Sequence, residues 1–255
     1  MERFEQLVQI VARLRAKDGC PWDQAQTPQS MVPYVLEEVY EALDAIEQGD
    51  DGELKKELGD MLFHVVMLSQ MATERGAFTM DDVLERISTK MIDRHPHVFD
   101  PNHVPGEDDG GLSAWEARKA KERPRESSAL DGVPKALPAL LRAHRISEKA
   151  GVVGFDWPHV AGVRAKLDEE VGELDEAIAS GDAEAIGEEL GDVLFTLVNL
   201  GRHLPVDAET ALRTATSRFE ARFRALETQL ARDGRMVNET SAEALEPLWR
   251  QMKGR

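Results

Sequence analysis

The chain has 255 residues, 42% of them apolar, and its 48 acidic against 31 basic side chains give a formal net charge of −17. That is enough apolar material for one large domain or two ordinary ones, and it excludes a disordered acidic tail. The charge argues against a nucleic-acid polymer as partner, because such binding draws on a basic surface, but it leaves room for a small phosphate ligand reached through a divalent cation.

Helical periodicity dominates, and strand-like alternation is almost absent. Gln29 to Gln48 carries Val35, Val39, Ala42, Leu43 and Ile46 at helical spacing, and Gly49-Asp50-Asp51-Gly52 stops it with turn residues. A second helix follows, with Leu54, Leu58, Met61, Leu62, Val65 and Leu68 on one side. The short joint makes the two antiparallel neighbours. A third helix is predicted from about Met80 to Arg94, ended by Pro96. Asp100 to Gly111 and Arg123 to Pro138 are rich in turn residues and read as loops, the second as a linker.

Then the pattern returns. Glu37-Glu38-Val39-Tyr40-Glu41 matches Glu169-Glu170-Val171-Gly172-Glu173, and Glu57-Leu58-Gly59-Asp60 matches Glu189-Leu190-Gly191-Asp192, both at an offset of 132 residues. The turn Gln48-Gly49-Asp50 recurs as Ser180-Gly181-Asp182. Lys90 and Arg94 correspond to Arg218 and Arg222, and Trp115 and Lys119 to Trp249 and Lys253. The chain is therefore two copies of one helical unit. The expected organisation is all-α: one helical-bundle domain over residues 1–123, a linker over 124–137, and a second domain over 138–255.

At about 100° per residue, Glu38 and Glu41 share one edge of the apolar face of the first helix, and Glu57 and Asp60 hold the same relation on the second. Packing the two faces brings four carboxylates together beside a core. Such a group is costly without a cation, since each negative charge and burial itself disfavour ionisation of the rest. Oxygen ligands suit Mg²⁺ or Mn²⁺ and disfavour zinc. Glu170, Glu173, Glu189 and Asp192 repeat the set. A single Glu-Glu-x-x-Glu string is an ordinary solvated helix face; two copies are either a duplicated surface or a kept functional set, and the spacing retained while Lys55-Lys56 has become Gly187-Glu188 favours the second. Gly59 and Gly191 sit inside helices, where glycine costs up to about 1 kcal/mol relative to alanine. Either close approach of a partner helix or ligand, or tight helix packing, would account for them.

These strings resemble the MazG family of nucleoside triphosphate pyrophosphohydrolases, whose motif is Glu-Glu-x-x-Glu followed after a spacer by Glu-x-x-Asp. Cys20-Pro21-Trp22-Asp23, Arg94-His95-Pro96-His97, Gly154-Phe155-Asp156-Trp157 and Arg218-Phe219-x-x-Arg222-Phe223 extend the likeness over nearly the whole chain. The resemblance is to the long form, with two tandem domains. It implies an all-α fold, hydrolysis of nucleoside triphosphates to monophosphate and pyrophosphate, Mg²⁺, a homodimer, and breadth toward the base consistent with nucleotide-pool house-cleaning. By motif it makes Glu38, Glu41, Glu57 and Asp60 metal ligands of the first domain and Glu170, Glu173, Glu189 and Asp192 those of the second.

The surrounding residues suit that chemistry. Arg218 and Arg222, one turn apart, can hold the departing phosphates, with Lys90 and Arg94 as first-domain counterparts. Lys166 faces the same direction as Glu169. Glu37 and Glu169, unassigned as ligands, can orient or deprotonate the attacking water. Trp249 with Lys253 can stack on a base and contact phosphate, or Trp249 can pack the end helix onto its domain; Trp115 with Lys119 repeats the choice. Phe155 and Trp157 are a base platform or a loop anchor. His95 and His97, flanking Pro96, form a helix end rather than a metal pair. The second domain is favoured for turnover, because it has Lys166, Arg218 and Arg222 together, and the first has no lysine at the place of Lys166.

Rival readings fare less well. A di-iron bundle needs Glu-x-x-His on two helices, and no histidine here has Glu three residues before it. The P-loop string is absent. A non-catalytic acidic helical interaction module remains the alternative, and it predicts no effect of Mg²⁺. The lone Cys20 excludes an internal disulfide, Met1 to Glu5 begins no signal core, and Met61 to Met71 is too short and interrupted to span a bilayer. A cytoplasmic protein without a membrane partner is expected.

Overall fold

A computed structural model describes residues 2–103 and 128–253 of the chain, apart from the side chain of Lys253. The reading of Trp115 and Lys119 lies outside the described residues. Among them the protein is all-α, with eleven α-helices and one 3₁₀ turn. It divides into two compact units, Met1–Trp115 and Glu116–Arg255.

The first unit runs α1 (Glu2–Arg15), α2 (Pro21–Ala25), α3 (Pro28–Gln48), α4 (Asp51–Glu74), α5 (Met80–Arg94) and α6 (Pro96–Phe99). Local chemistry sets these boundaries. Thr27 caps α3 reciprocally with Ser30, and Pro28 fills the first helical position, where no N–H is needed. Gly49 ends α3 in the left-handed conformation (φ 68°), and Asp50 at once caps α4 by accepting from the N–H groups of Gly52 and Glu53. This joint folds α3 and α4 into the antiparallel pair predicted. α5 ends at His95, whose Nδ1 lies 2.6 Å from the Met91 carbonyl oxygen, and Pro96 opens α6. The histidines thus form the expected helix end.

The second unit runs α7 (Ala139–Val152), α8 (Val160–Ser180), α9 (Ala183–His203), α10 (Ala208–Arg232), a 3₁₀ turn (Val237–Glu239) and α11 (Ala242–Lys253). Gly181 (φ 73°) and Asp182 repeat the joint, so α8 and α9 pair as α3 and α4 do. Buried Lys149 on α7 donates to the Asp131 carbonyl at 2.6 Å, which fastens that loop to α7.

The cores differ from the expected face. In the first unit Val11, Met31, Val66, Met67 and Met71 are buried, with Phe4, Leu7 and Phe63 packed around them. Leu58, Leu62 and Val65, expected inside, are exposed, as is Ile46. The reason is that α4 is apolar on more than one side, and α1 and α3 cover only one of them. Leu190, Leu194 and Leu197, at the same offset of 132, are exposed likewise. A second cluster, Leu226, Leu230 and Met252, holds α10 against α11. No helix among the described residues is long and apolar enough to cross a membrane.

Candidate metal centres

The joint between α3 and α4 places Glu38 and Glu41 opposite Glu57, and carboxylate oxygens of the three lie within 4.8 Å of one another. Glu57 is 1% exposed. Its Oε1 accepts from Lys56 Nζ at 2.9 Å, and its buried Oε2 meets no hydrogen-bond donor among the described residues. Lys56 holds the Glu57 carboxyl below the usual range. Burial, then the Glu57 carboxylate, pushes Glu38 and Glu41 up, while His64 draws Glu38 back down. Asp60 lies outside this close set, although its charge adds to the rise at Glu38.

The second unit builds the same arrangement from α8 and α9. Carboxylate oxygens of Glu170, Glu173 and Glu189 lie within 4.8 Å of one another. Glu170 is buried, and Lys166 Nζ stands 2.9 Å from its Oε1 and 2.8 Å from Glu169 Oε1. Both contacts push the Lys166 ammonium well above the ordinary lysine range. Burial and the Glu170 carboxylate raise Glu173. Asp192 is exposed and outside the close set. The structure thus brings together three of the four acidic residues expected in each half.

These residues fit a hard divalent cation. Like charges crowd on a partly buried face, two carboxyls of the first cluster and one of the second are shifted toward protonation, and Glu57 offers a buried oxygen with no donor among the described residues. The close donor sets are all oxygen.

The other expected residues are spread more widely. Glu37 and Glu169 are exposed at the rims of the clusters. On α5, Lys90 is half-buried and Arg94 buried. Arg218 is exposed and Arg222 half-buried on α10. Between them Phe219 stacks on Phe223 and meets Trp249, with ring centroids 6.0 and 5.1 Å apart. Trp249 belongs to the cluster that seats α11, so it packs the end helix. Trp157 lies against Gly162 and anchors its loop, whereas Phe155 is 83% exposed. Among the described residues, no atom beyond the local helix backbone comes within 4 Å of where a Cβ of Gly59 or Gly191 would stand, so tight packing among them does not explain these glycines.

Three features escaped the sequence reading. A cavity of about 570 Å³ lies between α7, α9 and the loop before α8, lined by Ile146, Ala150, Phe155, Trp157, Phe195 and Asn199. Asp156 beside it takes two hydrogen bonds of 2.6 Å from Arg202 and lies 3.0 Å from His203 Nε2; Arg202 above all draws its pKa down to about 2. His64 sits 3.5 Å from Glu38 Oε1. Its seven-residue spacing from Glu57, two turns of one helix, was the signal available for it.

Comparison with known proteins agrees with this geometry. The MazG nucleotide pyrophosphohydrolase domain matches twice, over residues 26–99 and 160–225, and each match spans one carboxylate cluster. The chain is 44% identical to a nucleoside triphosphate pyrophosphohydrolase/pyrophosphatase MazG of Thermotoga maritima, over 98% of this chain and 96% of that one. It is 43% identical to a nucleoside triphosphate pyrophosphohydrolase of Escherichia coli K12, over 99% and 98%. A Mycobacterium tuberculosis protein of the same name is 33% identical, over 90% of this chain and 61% of its own. With two domain matches, two matching carboxylate centres and likeness along nearly its full length, the chain belongs to the MazG nucleotide pyrophosphohydrolase family.

Proposed function

We propose that the protein hydrolyses nucleoside triphosphates between the α- and β-phosphates, giving monophosphate and pyrophosphate, with Mg²⁺ as cofactor and Mn²⁺ as a substitute. The observation that carries this reading is the pair of three-carboxylate centres in a chain whose relatives are named for that reaction. We assign turnover to the domain over 138–255, with residues 1–123 as the second domain and 124–137 as linker.

Glu170, Glu173 and Glu189, with Asp192 one turn further on, would hold the cation; Glu38, Glu41, Glu57 and Asp60 would do so in the first domain. When bound, the cation screens the triphosphate and acts as a Lewis acid at the α-phosphoryl group. Glu169, exposed at the rim, orients the attacking water and takes its proton, and Glu37 is its counterpart. Lys166, Arg218 and Arg222 receive the charge of the departing pyrophosphate, as Lys90 and Arg94 would in the first domain; the expected part of Lys253 lies with a side chain outside the described residues. Trp249 seats the helix that ends in Lys253.

The base fits the cavity beside Phe155 and Trp157. At 1.5 Å per residue, Phe195 and Asn199 lie about 9 and 15 Å along α9 from Glu189, within the length of a nucleoside triphosphate. The lining is mostly apolar, which suits broad base acceptance and a house-cleaning role. The exposed stripes Leu58-Leu62-Val65 and Leu190-Leu194-Leu197 suit a homodimer, in which a second copy covers them. A cytoplasmic setting fits the single cysteine.

Separating the products of ATP and dCTP incubations with and without Mg²⁺ tests the reaction. Monophosphate and pyrophosphate, formed only with the cation, are expected. Release of orthophosphate would reject the bond assignment, and no turnover at all would favour the acidic interaction module.

A further inference from the structure

His64 has no role in the chemistry above, yet it is placed against it. It lies on α4 two turns beyond Glu57, with its side chain 9% exposed. Its Nε2 lies 3.5 Å from Glu38 Oε1 on α3, within ion-pair reach though longer than an ordinary hydrogen bond. Its Nδ1 is buried and meets no hydrogen-bond partner among the described residues, and the ring stands edge-on to Phe63, with centroids 5.5 Å apart. The tautomer with its proton on Nε2 therefore leaves no buried N–H unpaired and places that proton on the nitrogen nearest Glu38.

The second unit solves the same problem differently. Thr196 occupies the position of His64, 132 residues on, and is buried but offers no ring nitrogen. There Glu170, the counterpart of Glu38, is held by Lys166 from one turn earlier on its own helix. In the first unit Tyr34 stands where Lys166 would be. Each unit thus supplies one donor to this glutamate, from the facing helix in the first and from the same helix in the second.

We infer that His64 is a positioning residue for the first metal centre: its Nε2–H fixes one oxygen of Glu38 and leaves the other directed at the cation shared with Glu41 and Glu57. This rests on the reading that the first cluster holds a divalent cation. The ring touches the ligand and not the ion, so its effect is on affinity and geometry.

The test uses the full-length chain carrying Glu173→Gln and Glu189→Gln, which silences the second cluster, with Mn²⁺ as probe and free Mn²⁺ read by electron paramagnetic resonance. The background protein is expected to bind Mn²⁺; His64→Ala should weaken that binding about 10- to 100-fold, and His64→Gln, whose amide keeps an N–H donor, should restore it to within about 3-fold. A background that binds no Mn²⁺ would reject the first-cluster reading and this inference with it. Binding unchanged by His64→Ala, or equally weak in the Ala and Gln variants, would overturn the positioning role alone.

Discussion

The two units keep the same acidic geometry but neutralise it from opposite sides. In the first, the most buried carboxylate is Glu57 on the second helix of the pair, and its cation is the neighbouring Lys56. In the second it is Glu170 on the first helix, and its cation is Lys166 on that helix. At the equivalent positions neither lysine recurs: Glu188 stands for Lys56, and Tyr34 for Lys166. The loop anchors differ likewise. Arg15 on α1 forks onto Glu74 of α4, whereas in the second unit the arginine, Arg202, is on the paired helix and the carboxylate, Asp156, is in the loop. Common to both units is one buried carboxylate balanced by one nearby cation; which helix supplies each differs between them.

This comparison can be broken at several points. The largest expected effect is on catalysis: Glu173→Gln or Asp192→Ala should lower kcat/KM for ATP by at least about 100-fold, and Glu41→Gln or Asp60→Ala by less than about 3-fold. If Asp60→Ala alone abolished hydrolysis, turnover would belong to the first domain. Next is assembly. A charge in the exposed stripe, Leu190→Glu, should halve the mass measured by light scattering, and Leu58→Glu tests whether the first unit contributes equally.

The loop anchor gives a smaller, pH-dependent effect. Asp156 titrates at about 2 when folded, against an ordinary carboxyl near 3.8, so its ion pair stabilises fully above that ordinary value and loses its contribution as the pH falls toward 2. Asp156 is exposed, so solvent screening holds the worth of this pair at neutral pH to about 1 kcal/mol or less. Asp156→Asn should lower urea-unfolding stability by about that much and flatten the acid limb of its pH dependence. The smallest effect concerns the unshared lysines. Lys56→Ala should lower the thermal midpoint in chelator, and the loss should vanish when Mg²⁺ is added, because the bound cation then balances Glu57. A loss that persists with Mg²⁺ would show that Lys56 has a further task.

Much of this was legible in the residues. The turn at Gly49-Asp50 and its copy at Gly181-Asp182 fix a helical hairpin through short-range capping alone, and the acidic pairs follow from helical spacing. The core was less legible. α4 carries apolar residues on more than one side, and periodicity does not say which side a neighbour covers; α1 and α3 cover Val66, Met67 and Met71 and leave Leu58, Leu62 and Val65 outside.

By itself, then, the chain's order of residues determined the all-α class, the duplication, the hairpins and the helix edges that carry the carboxylates, because each depends on neighbours within a turn or two. Only the tertiary structure decided that Glu57 and Glu170 are the buried members, that His64 reaches Glu38, that Arg202 secures Asp156 and that a cavity opens beside Phe155. Those depend on how far one helix is rotated and shifted against the next, and that is set by the packing of the whole unit rather than by any local run of side chains.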